Sequence, residues 1–93
     1  MDIQHTSSDS KGRYAVSAPE GGQAYMTYSR AGDTLMIIDH TEVPEALRGK
    51  GYGAALVERA VTDAREAGVK IVPLCPFAAA QFRRHTEWHD VLS

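Results

Sequence analysis

The chain has 93 residues, 43% of them hydrophobic and 24% charged, with a formal net charge of -2. That length supports a single core burying roughly 60% of the unfolded surface, and the balanced charge argues against bulk attraction to nucleic acid or an acidic membrane. The lone cysteine, Cys75, excludes an intramolecular disulfide and a cysteine-rich metal site.

The first residues, Met1-Asp2-Ile3-Gln4-His5, have neither the cationic region nor the apolar run of a secretory signal, and no later stretch approaches the roughly 20 apolar residues of a membrane span. A cytoplasmic protein forming one domain over residues 1–93 is expected. Residues 6–12, TSSDSKG, show no apolar period and read as a loop, leaving Ile3 at most in a short leading strand. Arg13–Ala18 ends at Pro19-Glu20-Gly21-Gly22, and Gln23–Ser29 ends at Ala31-Gly32-Asp33. Such punctuation between β-favouring runs predicts antiparallel strands joined by tight turns. Tyr14, Tyr25 and Tyr28 then serve core and cross-strand packing. Thr34–His40 is more continuously apolar and reads as a third, buried strand that ends within His40-Thr41-Glu42-Val43.

After Pro44 the period changes. From Gly53 to Ala67, Leu56, Val57, Ala60, Val61, Ala64 and Ala67 recur at three- and four-residue spacing, which predicts an amphipathic helix stopped at Gly68. Val69–Leu74 is a strand that should return parallel to the strand before the helix, with Pro73 indicating an edge or a bulge. Cys75–Arg84 opens with Pro76 and closes with Arg83-Arg84, the signature of a second, short helix. The fold class is therefore α+β in two layers, with a mixed, largely antiparallel sheet, one β-α-β unit and a short C-terminal helix.

Between strand and helix lies Arg48-Gly49-Lys50-Gly51-Tyr52-Gly53-Ala54. Backbone N–H groups there meet the positive end of a helix dipole, glycine lets the chain bend closely, and Arg48 and Lys50 add charge, so the loop is suited to a phosphate. It lacks the G-x-x-x-x-G-K-[ST] pattern of the mononucleotide P-loop. It does satisfy the loose dinucleotide pattern at Gly49, Gly51 and Ala54, but the following strand ends in Leu74-Cys75 instead of a ribose-binding acid.

The run Arg48-Gly49-Lys50-Gly51-Tyr52-Gly53 resembles the R/Q-x-x-G-x-G/A signature of the GNAT acetyltransferase superfamily. Together with His40-Thr41-Glu42-Val43-Pro44, Pro73-Leu74-Cys75 and Arg84-His85-Thr86-Glu87, it is similar to the minimal GNAT-like family of the YjdJ type. The resemblance implies acetyl-CoA as acetyl donor and an amine, small molecule or protein lysine, as acceptor. It implies pantetheine contacts at Thr41 and Val43, a diphosphate cradle from Arg48 to Ala54, and Cys75 and Phe77 near the thioester. In larger members N-x-x-A-x-x-x-Y supplies a tyrosine acid; here the frame is Cys75-x-x-Ala78-x-x-x-Phe82, and Phe82 has no hydroxyl.

Cys75 stands at a predicted helix start, where the dipole favours a thiolate that could carry the acetyl group. For direct transfer, His40, Glu42 and His85 are the candidate bases. His85, His89 and Cys75 lack an evident fourth ligand, so no metal is expected. Two readings stay open: an N-acetyltransferase, or a CoA-binding or acyl-sensing module without turnover. A monomer or weak dimer is expected in either case.

Overall fold

Strong period-two burial organises the first half of the chain and period-3.6 burial the second. A computed structural model describes all 93 residues. The strands are β1 (Ile3–Ser7), β2 (Lys11–Ser17), β3 (Gln23–Ala31), β4 (Leu35–Glu42) and β5 (Lys70–Pro73); the helices are α1 (Tyr52–Ala67) and α2 (Pro76–Arg84). Short 3₁₀ segments occupy Glu45–Leu47 and Thr86–Val91. The sheet runs in sequence order, β1 to β5, antiparallel throughout except for the parallel pairing of β4 with β5.

The parallel return of β5 after α1 is as the helix crossover requires, and Pro73 ends a strand at the sheet margin, where a missing N–H costs no ladder bond. α1 stops at Gly68, whose left-handed backbone (φ 72°) closes the last turn through its N–H to the Ala64 carbonyl. Its apolar stripe, Leu56, Val57, Ala60, Val61 and Ala64, is at most 1% exposed. These side chains share one core with the inward residues of β2, β3 and β4, among them Tyr14, Met26 and Ile38. No helix is long and apolar enough to cross a membrane.

One expectation is corrected. Residues 6–12 are not a loop: Thr6 and Ser7 belong to β1, Lys11 and Gly12 to β2, and Ser7 pairs with Gly12 across a tight turn. An edge strand with its rim in water needs no apolar period, and β1 turns only Ile3, His5 and Ser7 towards the helix side. His5 stacks on Tyr14 at 4.2 Å between ring centroids and bonds Tyr28 Oη at 2.7 Å. Tyr14 in turn donates to Asp63 of α1 at 2.7 Å. Thus Tyr14 and Tyr28 pack inward, as expected, while Tyr25 lies on the opposite face beneath the Arg13 guanidinium, 4.6 Å from its centroid.

The irregularity that matters most for function lies in β4. Tyr28 pairs with Ile38, but Thr27 pairs with His40, so Asp39 is an extra residue and β4 carries a bulge there. The inward series Met36, Ile38 therefore continues at Thr41, opposite the buried Met26, instead of at His40.

Candidate functional site

The end of β4, the glycine loop and one side of α2 enclose a cleft of about 680 Å³. Its floor and first wall are Thr41, Glu42 and Val43, carried there by the last residues of β4. Leu47, 1% exposed, anchors the 3₁₀ turn beneath the loop.

Three glycines at alternate positions solve two different problems. Gly49 and Gly51 have φ of 77° and 86°, a region that L side chains rarely adopt, with open space where a side chain would begin. Gly53 has ordinary helical geometry, but a Cβ there would run into the Phe77 ring. It is a packing glycine that lets the N-terminus of α1 approach α2. Gly51 is the N-cap and has no side chain to cap with, and the first turn of α1 holds no acidic residue. No amide from Gly49 to Ala54 donates to a protein acceptor. The helix start thus presents several unpaired N–H groups and the positive end of its dipole to the cleft.

The two loop cations are engaged within the protein. Arg48 donates its Nε to the Val43 carbonyl at 3.2 Å, tying the loop to the end of β4. Lys50 sits 2.8 Å from Glu20, in the turn between β2 and β3, and does not line the cleft. Their hydrogen bond holds the Glu20 carboxyl below the ordinary range and raises the Lys50 ammonium. The Tyr52 hydroxyl donates to the same carboxylate at 3.3 Å. This latch spans 30 residues of sequence and carries no local signature.

Cys75 is the N-cap of α2, its sulfur accepting from the Ala78 N–H at 3.4 Å. It also lies 3.3 Å from Thr41 Oγ1, a contact that exists because the bulge at Asp39 turns Thr41 inward. The thiol is 6% exposed, behind the cleft wall instead of on it. The same bulge turns His40 to the other face, with its ring 6.0 Å from that of Tyr25 and away from the cleft. Of the three candidate bases, His85 and Glu42 border the cleft, Glu42 from the strand end and on the His40 side of inward Thr41, while His40 lies outside it.

Along α2, Phe77, Gln81, Arg84 and His85 face the cleft at helical spacing. Gln81 carries no motif of its own and Arg84 enters only as part of the Arg84-His85-Thr86-Glu87 run, with no site role, although the period from Phe77 points to both. Gln81 is 6% exposed as a residue, and its carboxamide, which makes no hydrogen bond within the protein, is open to the cleft instead of sealed in the core. Arg84 is exposed and forms no ion pair. Phe82, 2% exposed, packs edge-on against Trp88 at 5.8 Å.

A family model described as GCN5-related N-acetyl-transferase matches residues 13–91. The solution NMR structure of a GCN5-like protein from Staphylococcus aureus has a TM-score of 0.74 to this chain at 27% identity, covering 97% of this chain and 87% of its own. The crystal structure of nourseothricin acetyltransferase gives a TM-score of 0.62 at 20% identity, covering 85% of this chain and 49% of its own. The second likeness is one of fold, and the chain spans about half of that enzyme. No curated protein matches the sequence. With the unpaired helix start, the parallel β4–β5 crossover and a family model covering most of the chain, the protein belongs to the GCN5-related N-acetyltransferase family.

Proposed function

We propose that this protein is an N-acetyltransferase that takes acetyl-CoA as donor and an amine as acceptor. The observation that carries the reading is the uncapped start of α1: a row of backbone N–H groups without protein acceptors, opening on the cleft beside the end of β4. Acetyl-CoA supplies the activated acyl group as a thioester; the chain's own residues supply placement. Residues Arg48 to Ala54 would hold the diphosphate through their amides. Thr41 and Val43 would line the pantetheine arm, and the unpaired Gln81 carboxamide suits one of its amide groups, since an amide offers both a donor and an acceptor. Phe77 would flank the arm near its thioester end.

Cys75 would lie behind that end. A covalent role for its thiol requires the N-terminus of α2 to give way, because the sulfur is buried and already bonded to Thr41 and Ala78. Direct transfer is the simpler route, with Glu42 or His85 receiving the acceptor's proton.

A second reading has its own support. Phe82 occupies the position of the acid of larger relatives and is sealed in the core, consistent with a CoA-binding or acyl-sensing module. Calorimetric titration of the reduced protein with acetyl-CoA, with dephospho-CoA and NAD as controls, tests the shared donor site; micromolar binding selective for CoA is expected. CoA release over a panel of amines then separates the two readings: release supports the transferase, and binding without release supports the module. Retention of release in Cys75→Ala would favour direct transfer.

A further inference from the structure

Resting on the donor reading above, we propose that His85 is the general base of acyl transfer and that Glu87 is its positioning residue, the two forming a carboxylate–imidazole dyad at the acceptor end of the cleft.

The imidazole is fixed from three directions. Its Nδ1 lies 3.0 Å from Glu87 Oε2. One ring face stacks on Trp88, with centroids 4.0 Å apart and planes 15° from parallel. The backbone of His85 closes α2 through its N–H to the Gln81 carbonyl and starts the next turn by accepting from the Trp88 N–H. A carboxylate can only accept, so the proton of the neutral ring resides on Nδ1. The remaining nitrogen, Nε2, has no partner in the protein, and the ring lines the cleft. That is the arrangement a base needs: a defined tautomer, a fixed plane and an available lone pair.

The segment that follows α2 is braced as though to keep this geometry. Arg65 of α1 grips Asp90 with two bonds of 2.7 Å and donates to the Glu87 carbonyl at 3.1 Å. His89 donates its Nε2–H to the Phe82 carbonyl at 2.8 Å, and Trp88 is 5% exposed. Glu87 itself is on the surface, its side chain 66% exposed, so its hydrogen bond to His85 is not needed to fill the core. The charged groups around the ring are Glu87 and Asp90 in its own segment, Arg84 on α2, Arg65 on α1 and Glu42 across the cleft. Glu42 has no comparable orienting partner, and His40 faces away.

In the step proposed, Nε2 takes one proton from the acceptor ammonium. The freed amine nitrogen attacks the thioester carbonyl carbon, forming the C–N bond. The C–S bond then breaks with its electron pair on sulfur. The second proton lost by nitrogen ends on that sulfur, giving amide and thiol, and the imidazolium returns its proton to water.

Two measurements test this. The first is the imidazole ¹⁵N spectrum of His85 in the donor-free protein, at a pH where the ring is neutral. The Nδ1–H tautomer is expected in the parent protein, and a mixture in Glu87→Ala. A predominant Nε2–H tautomer in the parent would overturn the dyad. The second is acetyl transfer as a function of pH. His85→Ala should keep acetyl-CoA binding, lose about 10²-fold or more in kcat and lose the acidic limb of the profile. Glu87→Ala should lose about tenfold in kcat with KM for acetyl-CoA unchanged, and Glu87→Gln, which still accepts from Nδ1, should recover part of the loss. If acetyl-CoA binds and is turned over, but His85→Ala leaves kcat unchanged, the base assignment falls while the donor reading stands. If acetyl-CoA does not bind the parent protein, both fall together.

Discussion

The Phe77 ring occupies the space in which a side chain on Gly53 would begin: a Cβ there would stand 2.8 Å from Cε2 of Phe77 and closer still to Cζ. Gly53→Ala therefore sets two effects against each other. Alanine favours the helix by about 1 kcal/mol, and turning the half-free Phe77 ring aside costs about as much. Stability in urea should change by less than about 1 kcal/mol. Because the ring must swing within the cleft, acetyl-CoA affinity should nevertheless fall about tenfold by calorimetry. Unchanged affinity would mean that Phe77 does not border the donor.

The Glu20–Lys50 pair competes with any phosphate for the Lys50 ammonium. Glu20→Gln keeps the side chain's shape and removes its charge, releasing Lys50 beside the loop. Acetyl-CoA affinity should rise about two- to fivefold at low salt, and its salt dependence should steepen, because the released charge is on the surface and screened. A weaker complex would instead make the pair a support of the loop.

Tyr14 tests the far end of α1. Its phenol is fully buried and bonded to Asp63, and burial first, then that hydrogen bond, pushes its ionisation well above the ordinary range. Tyr14→Phe should cost about 1–2 kcal/mol in urea unfolding, as Asp63 keeps Arg59 and His5 nearby. Acetyl-CoA binding should be unaffected, because the network lies outside the cleft.

His5 gives the fold an acid-sensitive joint. Burial lowers its ionisation from 6.5, Asp63 opposes the shift and Arg59 reinforces it. A lowered folded value means that the protonated ring prefers the unfolded chain. Stability is therefore complete above 6.5 and is lost as pH falls from there towards the folded value, with a slope of at most about 1.4 kcal/mol per pH unit for one proton. Urea midpoints compared at neutral and mildly acidic pH should show this loss, and His5→Gln should remove its share. Glu20, Glu87 and Asp90, all held low, act in a separate window: their contributions disappear below ordinary values of 4.5, 4.5 and 3.8.

Much of this architecture can be read from residues alone, and the failures have physical causes. Glycine and proline mark the turns and the 3.6 period marks α1, because those signals act within a few residues. β1 is hidden because an edge strand can be polar and still pair, and its Thr6-Ser7 looks like a turn. Simple alternation from Met36 and Ile38 would turn His40 inward; the extra residue at Asp39 has no composition to announce it, so the base candidate and the Cys75 neighbour exchange faces. The glycine loop is legible as a shape, whereas the partner of Lys50 is not, since Glu20 comes near only after the β2–β3 turn folds back.

The bulge also sets the length of β4. Between buried Ile38 and inward Thr41 the spacing is three, an odd step in a strand that otherwise counts by two. Were the same residues to run in strict alternation, without the bulge, everything from His40 to Val43 would turn by half a turn relative to the core. The site would then offer an imidazole to the Cys75 sulfur and a hydroxyl to solvent. Loss of the bulge at constant length thus exchanges the two faces, whereas loss of the bulge together with one residue keeps Thr41 turned to the core, and recombining this sheet with that of a relative requires matching residue number to bulge.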